Sequence, residues 1–576
     1  MMRHTFFSIK NPVILGLILI TFSVLLYLPA MKGDFIFDDI HLVQNSPITQ
    51  NPNFLKEFVG QAFGDPLGKD ARSKDLEKGM QYYRPLVSLS FWLDYKLWGL
   101  NAAGFHLTNI LLHMVNVLLL FLLVLRFVDH TLAAFASACL FAAFPTNFEN
   151  VAWISGRTDV LALLFLLLSA HCLFSFIRSG SARDTLAAAF FFFLALLSKE
   201  TVILSLLIYA YFVFIHGSQG TNRPKVYFLL TFAIAIMLFL LFRSRAIGLP
   251  HMNFSNLPLA ALFSGIGFYL SRLLFPFFLG FSIPEERVLH APVYFLLGAG
   301  LCLFFSAALV YFLSKKKPLP VYLAMGILSF LLLLPSLFIL FFENPVSLLA
   351  WRFLYLPVAA AVPLFAIFLS RILRPLSFGL LAAALAASFT VELLPHARHF
   401  GQSDRDFWLT LQHVERESRL FRLNHAAVLI SVNEPKAEAM LGPFIADRTS
   451  FMADFFDRRA LEIGAFHFTA KNDLPKARYY FAMLFSHYKD QPLNVYFQYA
   501  TFLAKSGNPG QGQEIVLHYL RIFPENHDVL LHAANFFMSA GDPAQALALL
   551  KKDFQLFPTN AVQNKIKRIA AGQKQN

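Results

Sequence analysis

Long apolar runs, separated by short polar loops, occupy most of the first 395 residues of the chain. A helix needs roughly 20 apolar residues to cross the hydrocarbon core of a bilayer, and eleven runs approach that length. They lie at 12–30, 105–126, 131–146, 158–177, 184–198, 200–216, 226–246, 291–313, 319–342, 353–371 and 376–395. The pattern predicts an all-α fold, in which residues 1–395 form a polytopic membrane bundle of about eleven transmembrane helices.

One further apolar stretch, 257–281, contains Arg272 and Pro276, and we expect an interfacial or re-entrant helix there. The first run is longer than the roughly 7–15 apolar residues at the centre of a signal peptide, so we expect it to be retained as a span.

The basic residues predict how this bundle is oriented. If the N-terminus, with Arg3, His4 and Lys10, is cytoplasmic, every short basic loop falls on the cytoplasmic side, as the positive-inside rule requires. Those loops contain Arg126, Arg178, Arg183, Arg223, Lys225, Lys315, Lys316, Lys317, Arg371 and Arg374. The first large loop, 31–104, and the chain after about residue 396 are then outside, in the periplasm or a lumen. The net charge of +13 is spread over loops, so it does not indicate a nucleic-acid partner.

The composition becomes that of a soluble protein after residue 395. We expect a helical connector at 396–455. In 456–576, small residues recur at Ala465, Ala500 and Ala534, and this period of about 34 residues is typical of tetratricopeptide repeats. The sequence thus predicts about three repeats that form a soluble α-solenoid, a surface suited to a protein partner or acceptor.

An acidic pair, Asp38 and Asp39, follows the first span and precedes His41. Carboxylates at a membrane surface are costly unless they have a use, so the pair is the leading candidate for catalysis. His41 is a candidate cavity-lining residue, and the three side chains together offer ligands for a divalent cation. No other cofactor is indicated.

A helix is predicted from Pro85, because proline suits the first turn of a helix. Its apolar stripe of Leu86, Leu89, Leu93 and Leu97 indicates an amphipathic helix, lying either along the membrane or on the surface of the protein itself.

The second span has one polar face. His106, Asn109, His113 and Asn116 follow each other at helical spacing, and such a stripe lines either a water-filled cavity or a helix–helix contact. We expect His106 and Asn109, which are nearer the outer surface, to line a cavity.

Charged residues also gather at the predicted outer ends of later spans. Arg352 opens the tenth span, where a guanidinium suits phosphate oxygens. Further candidates for phosphate binding are Arg84, Lys199 and Arg245, and further candidates for cavity lining are Glu149, Arg157, Asp159 and Glu200. For Arg157 and Asp159, we expect a salt bridge with each other.

An acidic base and a phosphate-binding cation at a membrane suit group transfer from a lipid phosphate. The carboxylate would accept the proton of an acceptor hydroxyl as that hydroxyl attacks the anomeric carbon of a sugar. The arginine would stabilise the charge on the departing phosphate. The spacing alone does not distinguish which of Asp38 and Asp39 is the base.

The order of these motifs resembles that of the GT-C glycosyltransferases. Within this group, the chain is most similar to the transmembrane and tetratricopeptide O-mannosyltransferase-like proteins and their bacterial relatives. The similarity lies in the C-terminal repeats and in the segments Phe37–His41, Tyr83–Leu86, Gly104–Asn109, Glu149–Asp159, Ser198–Glu200 and Arg352–Pro357. This resemblance implies a polyprenyl-phosphate-linked sugar donor, inversion at the sugar and a catalytic role for Asp38 with Asp39 as its partner. The chain departs from those relatives at Phe144, where they usually have histidine, and at Trp351, where they often have glutamate.

Two other functions are compatible with parts of the sequence. A membrane-anchored scaffold for assembly of envelope proteins would explain the repeats without any catalysis. A transporter is disfavoured, because its polar residues would be expected near the middle of the membrane rather than on one face.

Overall fold

The computed structural model describes residues 11–50, 83–128, 130–216, 223–246, 259–315, 320–337, 349–410, 419–431, 437–446, 453–488 and 491–573. The chain divides into two compact units, of which unit 1 comprises residues 1–36 and 83–407, and unit 2 comprises residues 37–82 and 408–576. The basic residues before position 11, Lys316, Lys317 and loop residues 51–82 lie outside the described ranges.

Every regular element in the described ranges is helical, which confirms the all-α prediction. The first helices are α1 Pro12–Tyr27, α2 Pro47–Gln50, α3 Pro85–Trp98, α4 Ala102–Val128, α5 Thr131–Ala142, α6 Phe148–Val151, α7 Arg157–Ser179, α8 Ala182–Ser198, α9 Ser205–His216, α10 Arg223–Ala246, α11 Leu259–Leu274, α12 Glu285–Leu289 and α13 Pro292–Ser314. The later helices are α14 Val321–Leu337, α15 Tyr355–Ile372, α16 Pro375–His399, α17 Asp404–Leu409, α18 Arg419–Ser431, α19 Ala437–Ala446, α20 Ala453–Ala470, α21 Leu474–His487, α22 Leu493–Lys505, α23 Pro509–Ile522, α24 His527–Ser539, α25 Pro543–Leu556 and α26 Asn560–Gln573.

Unit 1 is an integral membrane bundle. Within the described residues, seven segments are long and apolar enough to span a membrane: Pro12–Lys32, Ala102–Val128, Ile154–Ser179, Pro224–Arg245, Pro292–Phe312, Trp351–Ile372 and Pro375–His399. The bent pair Thr131–Ala142 and Pro145–Val151 would make an eighth. The eleven runs in the sequence exceed this count because several form shorter helices, such as α8 with 17 residues.

Helix α4 packs against α1, α5 and α7 in unit 1. A different part of the unit depends on two glycines, because α11 and α13 cross with their backbones in contact. A Cβ atom at Gly267 would overlap the carbonyl oxygen of Tyr294, and one at Gly298 would overlap that of Phe263. The apolar stretch at 257–281 therefore contains a short helix that packs closely on a span.

The C-terminal part of unit 2 consists of helix pairs. Helices α20 and α21, α22 and α23, and α24 and α25 pack against each other within each pair. Ala465, Ala500 and Ala534 are buried in these contacts, as expected for small residues that let helices approach closely. Tight turns with positive φ, at Asn472 (62°), Gly507 (89°) and Gly541 (83°), join the helices of the pairs. The assignment of these pairs to the tetratricopeptide class stays a prediction.

Candidate active site

Among the residues that the structure describes, four ion pairs join charged side chains of unit 1 that lie on different elements. They are Arg84–Glu200 at 3.1 Å, Arg157–Asp94 at 2.6 Å, Lys199–Asp159 at 2.5 Å, and Arg352–Glu149. All of these residues except Asp94 are predicted site residues. The structure therefore pairs candidates that lie far apart in the sequence.

The predicted salt bridge between Arg157 and Asp159 was wrong. Both residues lie in the first turn of α7, and side chains two positions apart on a helix do not face each other. Arg157 consequently contacts α3, whereas Asp159 accepts a hydrogen bond from Lys199 at the end of α8.

Arg157 is the most enclosed of the four cations, with no exposed side-chain surface. Its Nε donates to Oδ1 of Asn109 at 2.5 Å, and its Nη2 donates to the carbonyl oxygen of Phe105 at 2.9 Å. The guanidinium carbon lies 4.7 Å from the centre of the Phe91 ring. A buried charge needs such complete pairing, so Arg157 holds α3, α4 and α7 together.

Asp94 is not among the predicted site residues, although its position on the helix could have indicated that it is buried. It follows Val87 and Phe91 at helical spacing, and all three are buried, on a different face of α3 from the predicted leucine stripe. Leu93 and Leu97 of that stripe are exposed. Burial raises the pKa of Asp94, and the charge of Arg157 partly offsets that rise. The positive charge of Arg157 thus favours the ionised form of this carboxyl group.

The polar face of α4 is buried in contacts between helices. Asn109 donates to the carbonyl oxygens of Trp153 and Ile154, at 2.9 and 3.1 Å. His106 is buried next to Gly33, and a Cβ atom at that glycine would lie 3.2 Å from the ring Nε2. Asn109 is therefore used to position the loop that leads into α7.

Deeper on the same face, His113 and Asn116 bind a tyrosine that the sequence analysis did not single out. Nδ1 of His113 lies 2.8 Å from the hydroxyl of Tyr355, and Nδ2 of Asn116 donates to that hydroxyl at 3.2 Å. His113 and Asn116 therefore form hydrogen bonds between helices, the helix–helix contact that was one of the two alternatives for this polar face.

Arg352 is held at both its backbone and its side chain by Glu149. Its N–H donates to Oε2 of that glutamate at 3.0 Å, and its guanidinium binds Oε1. The backbone of Glu149 lies directly against Gly156. Only glycine fits there, because a Cβ atom would overlap the carbonyl oxygen of Glu149. The side chain of Arg352 is nevertheless 27% exposed, so it stays accessible to a ligand.

The Phe353 ring links Arg352 with Lys199. The guanidinium carbon of Arg352 lies 5.4 Å from the ring centre, and Nζ of Lys199 lies 5.5 Å from it. Lys199 is almost enclosed, with 5% of its side chain exposed. Burial lowers the pKa of Lys199, and Asp159 opposes that change.

The remaining phosphate-binding candidates differ in their surroundings. The side chain of Arg84, immediately before α3, is 22% exposed and binds Glu200, the first residue of the 3₁₀ helix Glu200–Leu204. Arg245 is exposed near the end of α10 and is not part of the four ion pairs.

The acidic pair belongs to unit 2. Asp38 is exposed and Asp39 is fully buried, while His41 is exposed in the π-helix Ile40–Gln44. Phe37, directly before the pair, has a φ of 51°, which is strained for a bulky residue and persists only where surrounding contacts enforce it. Among the described residues, no group of three or more histidine, cysteine, aspartate or glutamate side chains is arranged to hold a metal ion.

Comparison with known proteins finds one family match within unit 1. Residues 84–243 match the model of the family described as dolichyl-phosphate-mannose-protein mannosyltransferase. The matched segment includes Arg84, His106, Asn109, Glu149, Arg157, Asp159, Lys199 and Glu200. The acidic pair, His41, Arg245 and Arg352 lie outside it.

Curated relatives agree with this match. The chain is 35% identical over 154 residues to Protein O-mannosyl-transferase F38B6.6 of Caenorhabditis elegans, covering 26% of this chain and 21% of the relative. It is 34% identical over 195 residues to Protein O-mannosyl-transferase TMTC1 of Mus musculus, covering 31% and 20%. It is 31% identical over 214 residues to Protein O-mannosyl-transferase TMTC2 of Homo sapiens, covering 35% and 24%.

These alignments span only about a fifth to a quarter of each relative's length. They nevertheless coincide with the predicted resemblance to O-mannosyltransferase-like membrane proteins. Residues 84–243 therefore match the dolichyl-phosphate-mannose-protein mannosyltransferase family, and the chain is homologous over 31% and 35% of its length to two TMTC protein O-mannosyl-transferases.

Proposed function

We propose that this protein is a membrane glycosyltransferase, which moves a sugar from a polyprenyl-phosphate donor to a hydroxyl acceptor with inversion of the anomeric carbon. The observation that carries the proposal is the network of four ion pairs, because most of its members lie in the segment that matches a mannosyltransferase family. An acceptor in a protein, a serine or threonine hydroxyl, is supported by the names of the relatives.

Exposure divides the four cations into two groups. Arg157 and Lys199 are almost completely enclosed, which suits a role in holding the helices. Arg352 and Arg84 are partly exposed, at 27% and 22% of their side chains. A guanidinium with a fixed carboxylate partner is pre-oriented and can bind phosphate oxygens in a planar, bidentate manner. We therefore assign donor-phosphate binding to Arg352 first and to Arg84 second.

The acid–base role falls to the acidic pair. Asp38 is exposed and can accept a proton from an acceptor hydroxyl, whereas the buried Asp39 suits a positioning role. As the hydroxyl oxygen forms a bond to the anomeric carbon, the bond from that carbon to the phosphate oxygen breaks. The electron pair leaves with the phosphate, and the proton passes to Asp38.

The proposed orientation places the N-terminus in the cytoplasm and the reaction on the outer face of the membrane. It is supported by the basic loop residues, which fall on one side of the predicted bundle. The C-terminal helix pairs would then also be outside, where they suit the docking of a protein acceptor or an assembly partner.

A donor panel tests the proposal. Membranes that contain the protein are incubated with radiolabelled mannose, glucose, galactose or N-acetylglucosamine on dolichyl or undecaprenyl phosphate. We expect label from a mannosyl donor in the protein fraction, released by mild base because serine and threonine linkages undergo β-elimination. Label in lipid or cell-wall glycan would identify another acceptor. If folded protein transfers no sugar from any donor, the scaffold function replaces the enzyme.

A further inference from the structure

The segment that contains the acidic pair, residues 37–50, folds into a compact loop of unit 2. The π-helix Ile40–Gln44 is followed by the short helix α2, and side chains tie the two together. Oγ1 of Thr49 donates to the carbonyl oxygen of Leu42 at 2.8 Å, and Nε2 of Gln50 donates to that of Gln44 at 2.6 Å. These two bonds join the helices within the segment, and we call residues 37–50 the acidic loop.

The first anchor of the acidic loop is aromatic. The ring centre of Phe37 lies 4.8 Å from that of Trp408 and 5.5 Å from that of Phe421 in α18. Trp408 itself is 3% exposed. These contacts hold the residue immediately before Asp38 in its strained backbone conformation.

The second anchor joins the acidic loop to the last described helix, α26. Oε1 of Gln50 accepts a hydrogen bond from the backbone N–H of Asn560, the first residue of that helix, at 2.8 Å. Gln50 is 3% exposed, so water does not readily replace this bond. The side-chain amide of Gln50 thus connects the acidic loop to residues 510 positions away in the sequence.

We propose that the C-terminal helices of unit 2 position the acidic pair, and that Gln50 and Asn560 are positioning residues for the carboxylate of Asp38. The two anchors lie on either side of Asp38 and Asp39, so loss of either one changes where the carboxylates are held. The effect on catalysis rests on the proposed function, whereas the anchoring itself does not. A small displacement of a catalytic group lowers the rate of the chemical step more than it lowers substrate binding.

A proline at position 560 removes the second anchor selectively. Proline has no N–H and is well tolerated at the first position of a helix. The cap of α26 stays available, because Val562 donates to Oγ1 of Thr559 at 3.3 Å. Asn560→Ala is the matched control, since it removes the exposed side chain but keeps the N–H group.

Hydrogen–deuterium exchange of the full-length protein in lipid nanodiscs measures the anchoring. With Asn560→Pro we expect amides of residues 40–50 to exchange about fivefold to tenfold faster, the effect of one lost hydrogen bond. We expect kcat for sugar transfer to fall by a similar factor at an unchanged KM for the donor. Asn560→Ala keeps the N–H group, so its exchange and its kcat should lie closer to those of the wild type than to those of Asn560→Pro.

Substitutions at Gln50 test the same bond from its other side. Gln50→Glu keeps an oxygen that accepts from the N–H of Asn560, and the helix N-terminus there favours its negative charge. The same variant loses the N–H that donates to the carbonyl oxygen of Gln44. Gln50→Met loses both. We expect the glutamate variant to exchange more slowly than the methionine variant, because only the glutamate keeps the bond to Asn560, and the methionine variant to exchange at least as fast as Asn560→Pro.

Each outcome is decisive. Unchanged exchange with both Asn560→Pro and Gln50→Met would overturn the anchoring. Faster exchange with an unchanged kcat would overturn the positioning role. Faster exchange in a protein whose wild type transfers no sugar would support the anchoring and reject the proposed function instead.

Discussion

Replacing Arg157 by methionine is expected to destabilise unit 1 by about 3–5 kcal/mol, the cost of breaking a buried ion pair. The substitution leaves Asp94, which is 3% exposed, without its cation, and also leaves Asn109 and the carbonyl of Phe105 without a donor. The fraction of monodisperse protein after detergent extraction, together with its Tm, measures the effect.

Two controls separate the lost pair from a general effect of the substitution. Arg178→Met changes an exposed arginine near the other end of the same helix, α7, and should leave the Tm almost unchanged. The double variant Arg157→Met, Asp94→Leu removes both charges and should recover part of the loss, because no unpaired carboxylate remains. A Tm for Arg157→Met equal to that for Arg178→Met would contradict the structural role of this pair.

Replacing Arg352 by glutamine is expected to reduce sugar transfer about 10²–10³-fold, as removal of one charge-stabilising donor typically does. The fold should survive, because the side chain is 27% exposed and the backbone N–H still donates to Glu149. Single-turnover transfer from the active donor measures the rate of the chemical step separately from donor binding.

Conservative and matched variants sharpen this test. Arg352→Lys keeps the charge but loses the planar guanidinium group that can bind two phosphate oxygens. Its rate of transfer should therefore lie between those of the wild type and the glutamine variant. Arg371→Gln, at the far end of α15, should transfer sugar like the wild type. Transfer by Arg352→Gln at the wild-type rate would remove Arg352 from the donor site.

Several individual residues were predictable because charges are rare in an apolar chain. Only 14% of the residues are charged, so Glu149, Asp159 and Lys199 stand out near the ends of the spans. Their pairing was not predictable, because it depends on how helices distant in the sequence pack. Lys199 and Asp159, for example, lie 40 positions apart.

The breaks in the bundle were harder to predict than its spans. The second span and α4 nearly coincide, since a long uninterrupted apolar run forms one helix. The run at 131–146, by contrast, bends by 50° between Thr131–Ala142 and Pro145–Val151. Pro145, which lacks an N–H to continue the helix, is the local signal for this break.

The most surprising element is the segment that follows the first span. Its sequence position next to a span indicates a part of the membrane bundle, but residues 37–50 belong to unit 2. The reason lies in single contacts, such as those of Phe37 with Trp408 and of Gln50 with Asn560. Neither contact has a local sequence signature, because each partner is supplied by a distant helix.

The central claim, a carboxylate base in a membrane glycosyltransferase, is tested most directly by the substitution Asp38→Asn. Single-turnover transfer of labelled sugar is compared among the wild type, Asp38→Asn and the control Asp34→Asn, which changes a nearby exposed carboxylate. We predict that Asp38→Asn slows transfer by at least about 10²-fold, as expected for loss of a general base, with unchanged Tm and an unaffected control. Transfer by Asp38→Asn at the wild-type rate would contradict the account.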